Sequence, residues 1–130
     1  MNYRGVIIEE SLGDKSILDE INIIETKTEE VTEKHKTPWT TQWTLHTVEI
    51  PEEKSEEIAQ KISESLDSSH KNSWYADFNN EKVHYVVFPN KIFKIKLGDV
   101  TAYKHAKNYG TTLGIPFYQL QFEELVRKFN

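Results

Sequence analysis

Residue types that carry common chemistries are absent or sparse in this chain. Its 130 residues include no cysteine, which excludes disulfides, thiolate catalysis and cysteine-ligated zinc sites. Its five glycines are too scattered to form a phosphate-binding loop or the Gly-x-Ser-x-Gly elbow of hydrolases. The sequence therefore offers no catalytic or cofactor motif, and we expect no cofactor.

Long apolar runs are also missing. The first residues, MNYRGVIIEE, reach two glutamates after a short apolar run, which is unlike a secretory signal. No stretch approaches the roughly 20 apolar residues that span a bilayer. We expect a cytoplasmic protein without membrane contact, folded as a single α+β domain over residues 1–130.

Charge is distributed unevenly along the chain, whose net charge is −5. Residues 1–67 carry 16 acidic and 7 basic side chains, a balance of −9, whereas residues 68–130 carry 5 and 9, a balance of +4. This polarity fits a basic binding face or head-to-tail association of copies. One acidic helix and one lysine-rich hairpin in water would produce it equally well.

β-Branched and aromatic residues dominate residues 36–50, KTPWTTQWTLHTVEI, which predicts a long central strand. Two strands are predicted before it, in residues 3–10 and 21–31. Turn residues at Asn79-Asn80 and Pro89-Asn90 separate three further strands and predict an antiparallel meander. Its strands are predicted at 74–78, 82–88 and 92–97.

Two helices complete the predicted set of elements. Residues 51–67 combine a proline and two glutamates in the first turn with one apolar stripe. Asp99 is a suitable cap for a second helix, for which Gly110 is the expected stop. The stripe of the first helix consists of Ile58, Ala59, Ile62 and Leu66.

This order of elements predicts an α+β fold with a mainly antiparallel sheet of about six strands. Both helices are expected on one face, as in a two-layer sandwich. Residues 41–79 could also form a strand–helix–strand crossover of the ferredoxin-like kind. The other face would be left to water or to a partner, and Trp43 and Leu45 make it partly apolar, so a homodimer formed through the sheet is also expected.

Aromatic residues are dense around the central strand and the start of the meander. Aromatic residues that are not needed to fill a small core can line a pocket for a flat or apolar small molecule, with histidine or aspartate as the polar group. They could instead close one end of the sheet or form a subunit interface. The predicted ligand-binding residues are Trp39, Trp43, His46, Trp74, Tyr75, Asp77, His84 and Tyr85.

Strand histidines supply the catalytic candidates. His46 could act as a general base with Asp77 or Glu49 in a small hydrolase or isomerase. His46 and His84 could also bind a divalent metal if they lay on adjacent strands. No metal-ligand spacing such as HxH is present, and a strand histidine is more often hydrogen-bonded and half-buried. We predict no bound metal. The sequence leaves open whether the protein is an enzyme and which residues would be catalytic.

One cluster of basic residues lies near two aromatic residues, as in proteins that bind single-stranded nucleic acid. The chain is acidic overall and both of its arginines, Arg4 and Arg127, fall outside the cluster, so a nucleic-acid partner is disfavoured. Lysines that alternate with isoleucines also protect an edge strand from aggregation. The cluster comprises Lys91, Lys94, Lys96, Lys104 and Lys107, beside Phe93 and Tyr103.

Five short segments, read together, carry a resemblance to a known group of proteins. They are KTPW, QWTLHTVEIP, SWYADF, FPNKIF and YGTTLGIP. With them the chain resembles a family of small single-domain prokaryotic proteins to which no activity is assigned. The resemblance spans nearly the whole chain. It implies a cytoplasmic single domain and supplies no catalytic residue.

Overall fold

A computed structural model describes residues 1–33, 40–67 and 74–129. Within these residues, six strands form an antiparallel sheet in the order β2-β3-β1-β4-β5-β6, which confirms the predicted α+β class. The strands are β1 (Tyr3–Ile8), β2 (Asn22–Glu30), β3 (Gln42–Ile50), β4 (Ala76–Asn79), β5 (Val83–Phe88) and β6 (Lys91–Lys96), and the helices are α1 (Ser55–Ser65) and α2 (Val100–Thr112).

The first strand of the chain lies in the middle of the sheet. β1 pairs antiparallel with β3 on one side and with β4 on the other, so β3 and β4 run in the same direction without pairing. α1 connects these two strands. The passage from β3 to β4 is therefore a crossover with β1 inserted between its strands, the arrangement considered as the alternative topology.

One face of the sheet is covered by α1. We call it the first face, defined by Tyr3 and Ile7 of β1, and we call the opposite face, defined by Val6 and Ile8, the second face. The apolar stripe predicted for α1 is buried here, because its period matches the side of the helix that meets the sheet. The stripe packs in one cluster with Tyr3 and Ile7.

The second helix lies on the second face. Tyr85 and Val87 of β5 pack in the cluster that contains α1, whereas Val86 and Phe88 pack with Tyr103 of α2. Successive residues of a strand point to opposite faces, so the prediction that both helices lie on one face is wrong. The sequence feature that could have indicated this is the apolar run Tyr85–Phe88 in β5, which is typical of a strand that is covered on both faces.

α2 does not stop at Gly110, as the sequence predicted, but continues to Thr112. Gly110 is buried, and a Cβ atom there would lie 2.6 Å from Cδ2 of Leu120. The left-handed residue after the helix is Gly114, with φ of 88°. Beyond the helix, the C-terminal segment (residues 113–129) returns across the second face and buries Leu120 and Phe122 beside α2.

Candidate functional site

A cavity of about 600 Å³ lies between the second face of the sheet and the C-terminal segment. Ligand sites in proteins commonly measure about 300–1,000 Å³, so this cavity has the size of a small-molecule site. Its floor is apolar and comes from the neighbouring strands β1 and β3. The floor residues are Val6 and Ile8 of β1 and Trp43 and Leu45 of β3.

Strand register explains why these side chains share a floor. Ile8 lies opposite Leu45, and Val6 lies opposite Asp77 of β4. Directly paired residues of an antiparallel sheet point to the same face, so the side chains of both pairs point into the cavity. Towards β6 the same face is occupied by α2, and near β3 and β1 the C-terminal segment lies over it.

Aromatic side chains form the walls at one end. Trp74 lies just before β4, and its ring centroid is 5.5 Å from that of Trp43, in an edge-to-face arrangement. Tyr75 packs edge-to-face on Phe122 at 5.1 Å and donates a hydrogen bond from its hydroxyl to the carbonyl of Gln119. The C-terminal segment is thus held against the sheet by an aromatic contact and a hydrogen bond.

The polar end of the cavity is an ion pair between Asp77 and Arg127. The Arg127 guanidinium donates to both carboxylate oxygens, with Nη2 3.0 Å from Oδ1. Asn79 fixes the backbone of the same arginine, since its Oδ1 accepts from Arg127 N at 2.9 Å and its Nδ2 donates to Arg127 O at 3.0 Å. Two alternate residues of β4, Asp77 and Asn79, therefore hold the end of the C-terminal segment.

Behind Asp77 lies a buried hydrogen-bonded chain that leads to α2. His84 has no exposed surface, and its Nε2 lies 2.7 Å from Asp77 Oδ2 while its Nδ1 lies 2.8 Å from the Tyr103 hydroxyl. The ionised carboxylate can only accept, so Nε2 donates to it, and in the neutral ring Nδ1 accepts from Tyr103. Burial raises the pKa of Tyr103 to about 12, which keeps this hydroxyl protonated as a donor.

Burial by itself would raise the pKa of Asp77, but the hydrogen bonds from His84 and Arg127 and the guanidinium charge outweigh it and lower that pKa below the ordinary 3.8.

A carboxyl group whose pKa is lower in the folded than in the unfolded protein stabilises the fold above its unfolded pKa. This contribution is lost as pH falls through the folded pKa. We expect the free energy of unfolding to fall more between about pH 5 and about pH 2 in the wild type than in Asp77→Asn. Urea titrations across this range measure it, and equal losses would contradict it.

His46 lies on the first face, away from the cavity. It pairs with Ile7, and its ring nitrogens lie 2.9 Å from Glu9 Oε1 and 2.9 Å from Thr26 Oγ1. It is 7% exposed, which makes it a hydrogen-bonded, nearly buried histidine. The structure therefore does not bring His46 together with Asp77, nor with His84, because both of those residues lie on the second face.

Four of the eight predicted ligand-binding residues line the cavity: Trp43, Trp74, Tyr75 and Asp77. His84 lies directly behind Asp77, whereas His46 and Tyr85 belong to the first face. Trp39 lies outside the described residues. Sequence reasoning missed the residues of the C-terminal segment, although the amphipathic spacing of that segment could have indicated that it packs on the sheet. They are Tyr118, Gln119, Gln121, Glu124, Leu125 and Arg127.

The five lysines of the predicted basic cluster do not share one surface. Lys94 lies on the first face and pairs with Glu56 of α1 at 2.9 Å. Lys107 lies on α2, over the second face, and pairs with Glu123 at 2.8 Å. The arrangement gives a nucleic-acid partner no support.

The prediction of a homodimer assumed that one face of the sheet carries no helix. In the structure, α2 and the C-terminal segment cover much of that face. All nine residues of β2, at the edge of the sheet, are exposed. Self-association stays a prediction, which light scattering can test. Among the described residues, no helix has the length and apolar character to cross a membrane.

The geometry thus brings together an apolar floor, aromatic walls and one polar end. Comparisons of the chain with protein-family models, with curated proteins and with solved structures found no match.

Proposed function

We propose that this protein binds a small, mainly apolar molecule in the cavity beneath its C-terminal segment. The observation that carries the proposal is the composition of a cavity of about 600 Å³, in which an apolar floor and several aromatic side chains adjoin the Asp77–Arg127 ion pair. Pockets of this kind bind drug-sized ligands through apolar burial and use a few fixed polar groups for orientation. As part of the proposal, we place the protein in the cytoplasm, as the sequence predicts.

Binding is favoured over catalysis because Asp77, Arg127 and His84 are bonded to one another. Asp77 accepts from Arg127 and His84, which lowers its pKa and makes it a weak base. Both ring nitrogens of His84 have partners, and the ring is fully buried. These groups are suited to keeping one end of the cavity rigid and to orienting a bound ligand.

A cavity-filling substitution tests the proposal. The neutral dye N-phenyl-1-naphthylamine fluoresces strongly in apolar surroundings, and we expect it to bind the wild type. Leu45→Trp, in the floor, should reduce its affinity by about tenfold or more, because a ring placed in the cavity competes for the same space. Fluorescence titration at constant temperature measures the affinities.

Ile24→Trp is the matched control, because it introduces the same side chain at a position on β2 that is 50% exposed. This variant should bind the dye as the wild type does. Equal affinities of all three proteins would place the dye elsewhere and reject the cavity as the binding site. Circular dichroism before titration establishes that both variants are folded.

A further inference from the structure

The charges around the cavity indicate the class of its ligand. Building on the proposed function, we infer that the cavity selects organic cations: molecules with a flat apolar body and a protonated amine or quaternary ammonium group. Its walls combine aromatic faces with carboxylates, and those are the two groups that attract a cation in a partly dry site.

Among the described residues, four charged side chains line the cavity, and three of them are acidic. Arg127 is the cationic one, and its charge is matched by the two-point contact with Asp77. The other two charged residues of this lining are Glu29 and Glu124, so it contains three carboxylates and one guanidinium. Carboxylates therefore outnumber cationic groups among the described lining residues, in a protein whose net charge is −5.

Glu124 is the carboxylate that we assign to the ligand. Glu29 takes part in another interaction of its own, whereas Glu124 is exposed at the cavity and has no ion-pair partner in the part of the chain that the structure describes. Its backbone N–H donates to Gln121 O, and this 3₁₀ turn fixes its position on the C-terminal segment. A ligand ammonium placed beside Glu124 would lie on the side of the cavity that faces solvent.

The aromatic walls favour the same charge. The ring faces of tryptophan and tyrosine are electron-rich and attract cations, tryptophan most strongly. Trp43 is half-buried and Tyr118 is 55% exposed, so both border the open part of the cavity. An anion would be repelled by these ring faces and by the carboxylates. The guanidinium of Arg127, which could attract an anion, is already paired with Asp77.

Three probes with one naphthalene ring separate charge from apolar binding: 1-naphthylmethylamine, 1-naphthalenemethanol and 1-naphthoate. We expect the protonated amine to bind about tenfold more tightly than the carboxylate, with the neutral alcohol between them. Isothermal titration calorimetry at pH 7 and low salt measures all three. Glu124→Gln should weaken the amine about threefold and leave the alcohol unchanged.

Glu81→Gln is the matched control, since it removes the same charge at an exposed position that does not line the cavity, and it should leave all three affinities unchanged. If the three probes bind equally, or the carboxylate binds best, the cavity binds ligands without selecting cations and this inference is wrong. If none of them binds, the proposed function fails together with it. Equal effects of the two glutamate variants on the amine would also overturn the role of Glu124.

Discussion

Replacing Asp77 with asparagine is expected to lower the free energy of unfolding by about 3 kcal/mol. The aspartate is 5% exposed and accepts hydrogen bonds from Arg127 on one side and His84 on the other. An amide keeps the shape but removes the charge, which leaves the guanidinium uncompensated, and its NH₂ group meets donors where an acceptor is needed. Urea denaturation at pH 7 measures the loss.

Two further variants define what that loss means. Asp19→Asn makes the same change at an exposed position and should stay within about 0.5 kcal/mol of the wild type. The double variant Asp77→Asn with Arg127→Met should recover part of the loss, because removing both partners leaves no unpaired charge. If Asp77→Asn is as stable as the Asp19 control, the ion pair does not fasten the C-terminal segment.

Gly5→Ala is expected to destabilise the fold by about 3 kcal/mol, because the strand that it disturbs is the centre of the sheet. A Cβ atom at Gly5 would lie 2.1 Å from the carbonyl oxygen of Asp77 and 2.5 Å from Cβ of Phe78. The nearest atoms belong to β4 itself, so relief requires the two strands to separate. Thermal and urea denaturation measure the effect.

Gly13→Ala is the control for this substitution. A Cβ atom there would come no closer than 3.6 Å to its nearest neighbour, the carbonyl oxygen of Ser65, which is an ordinary contact. That variant should remain close to the wild type in stability. A Gly5→Ala protein as stable as Gly13→Ala would mean that β1 and β4 do not pack as closely as described.

Local patterns in the sequence were sufficient for most of the elements. The apolar stripe of α1 and the alternation along β3 depend on short-range periodicity, and the structure bears out both elements. Asp99 caps α2 as predicted, since its side chain accepts from Ala102 N. The end of that helix was misjudged because Gly110 serves close packing against Leu120 and not chain reversal.

Long-range arrangement was harder to predict, and the site depends on it. β1 lies between β3 and β4, which are distant from it in sequence, and no local pattern specifies that insertion. This insertion sets which residues share a face, so it separates His46 from Asp77. The contribution of Arg127 was equally hard to predict. It depends on a C-terminal segment that crosses the sheet, where Arg127 pairs with Asp77, 50 positions earlier in the chain.

The most direct test of ligand binding is a crystal structure of the protein soaked with N-phenyl-1-naphthylamine. We predict density for the dye on the second face of the sheet, above Val6 and Leu45, with the C-terminal segment closing over it and Arg127 still paired with Asp77. A cavity filled by the protein's own side chains, or dye bound only outside it, would contradict the proposed function.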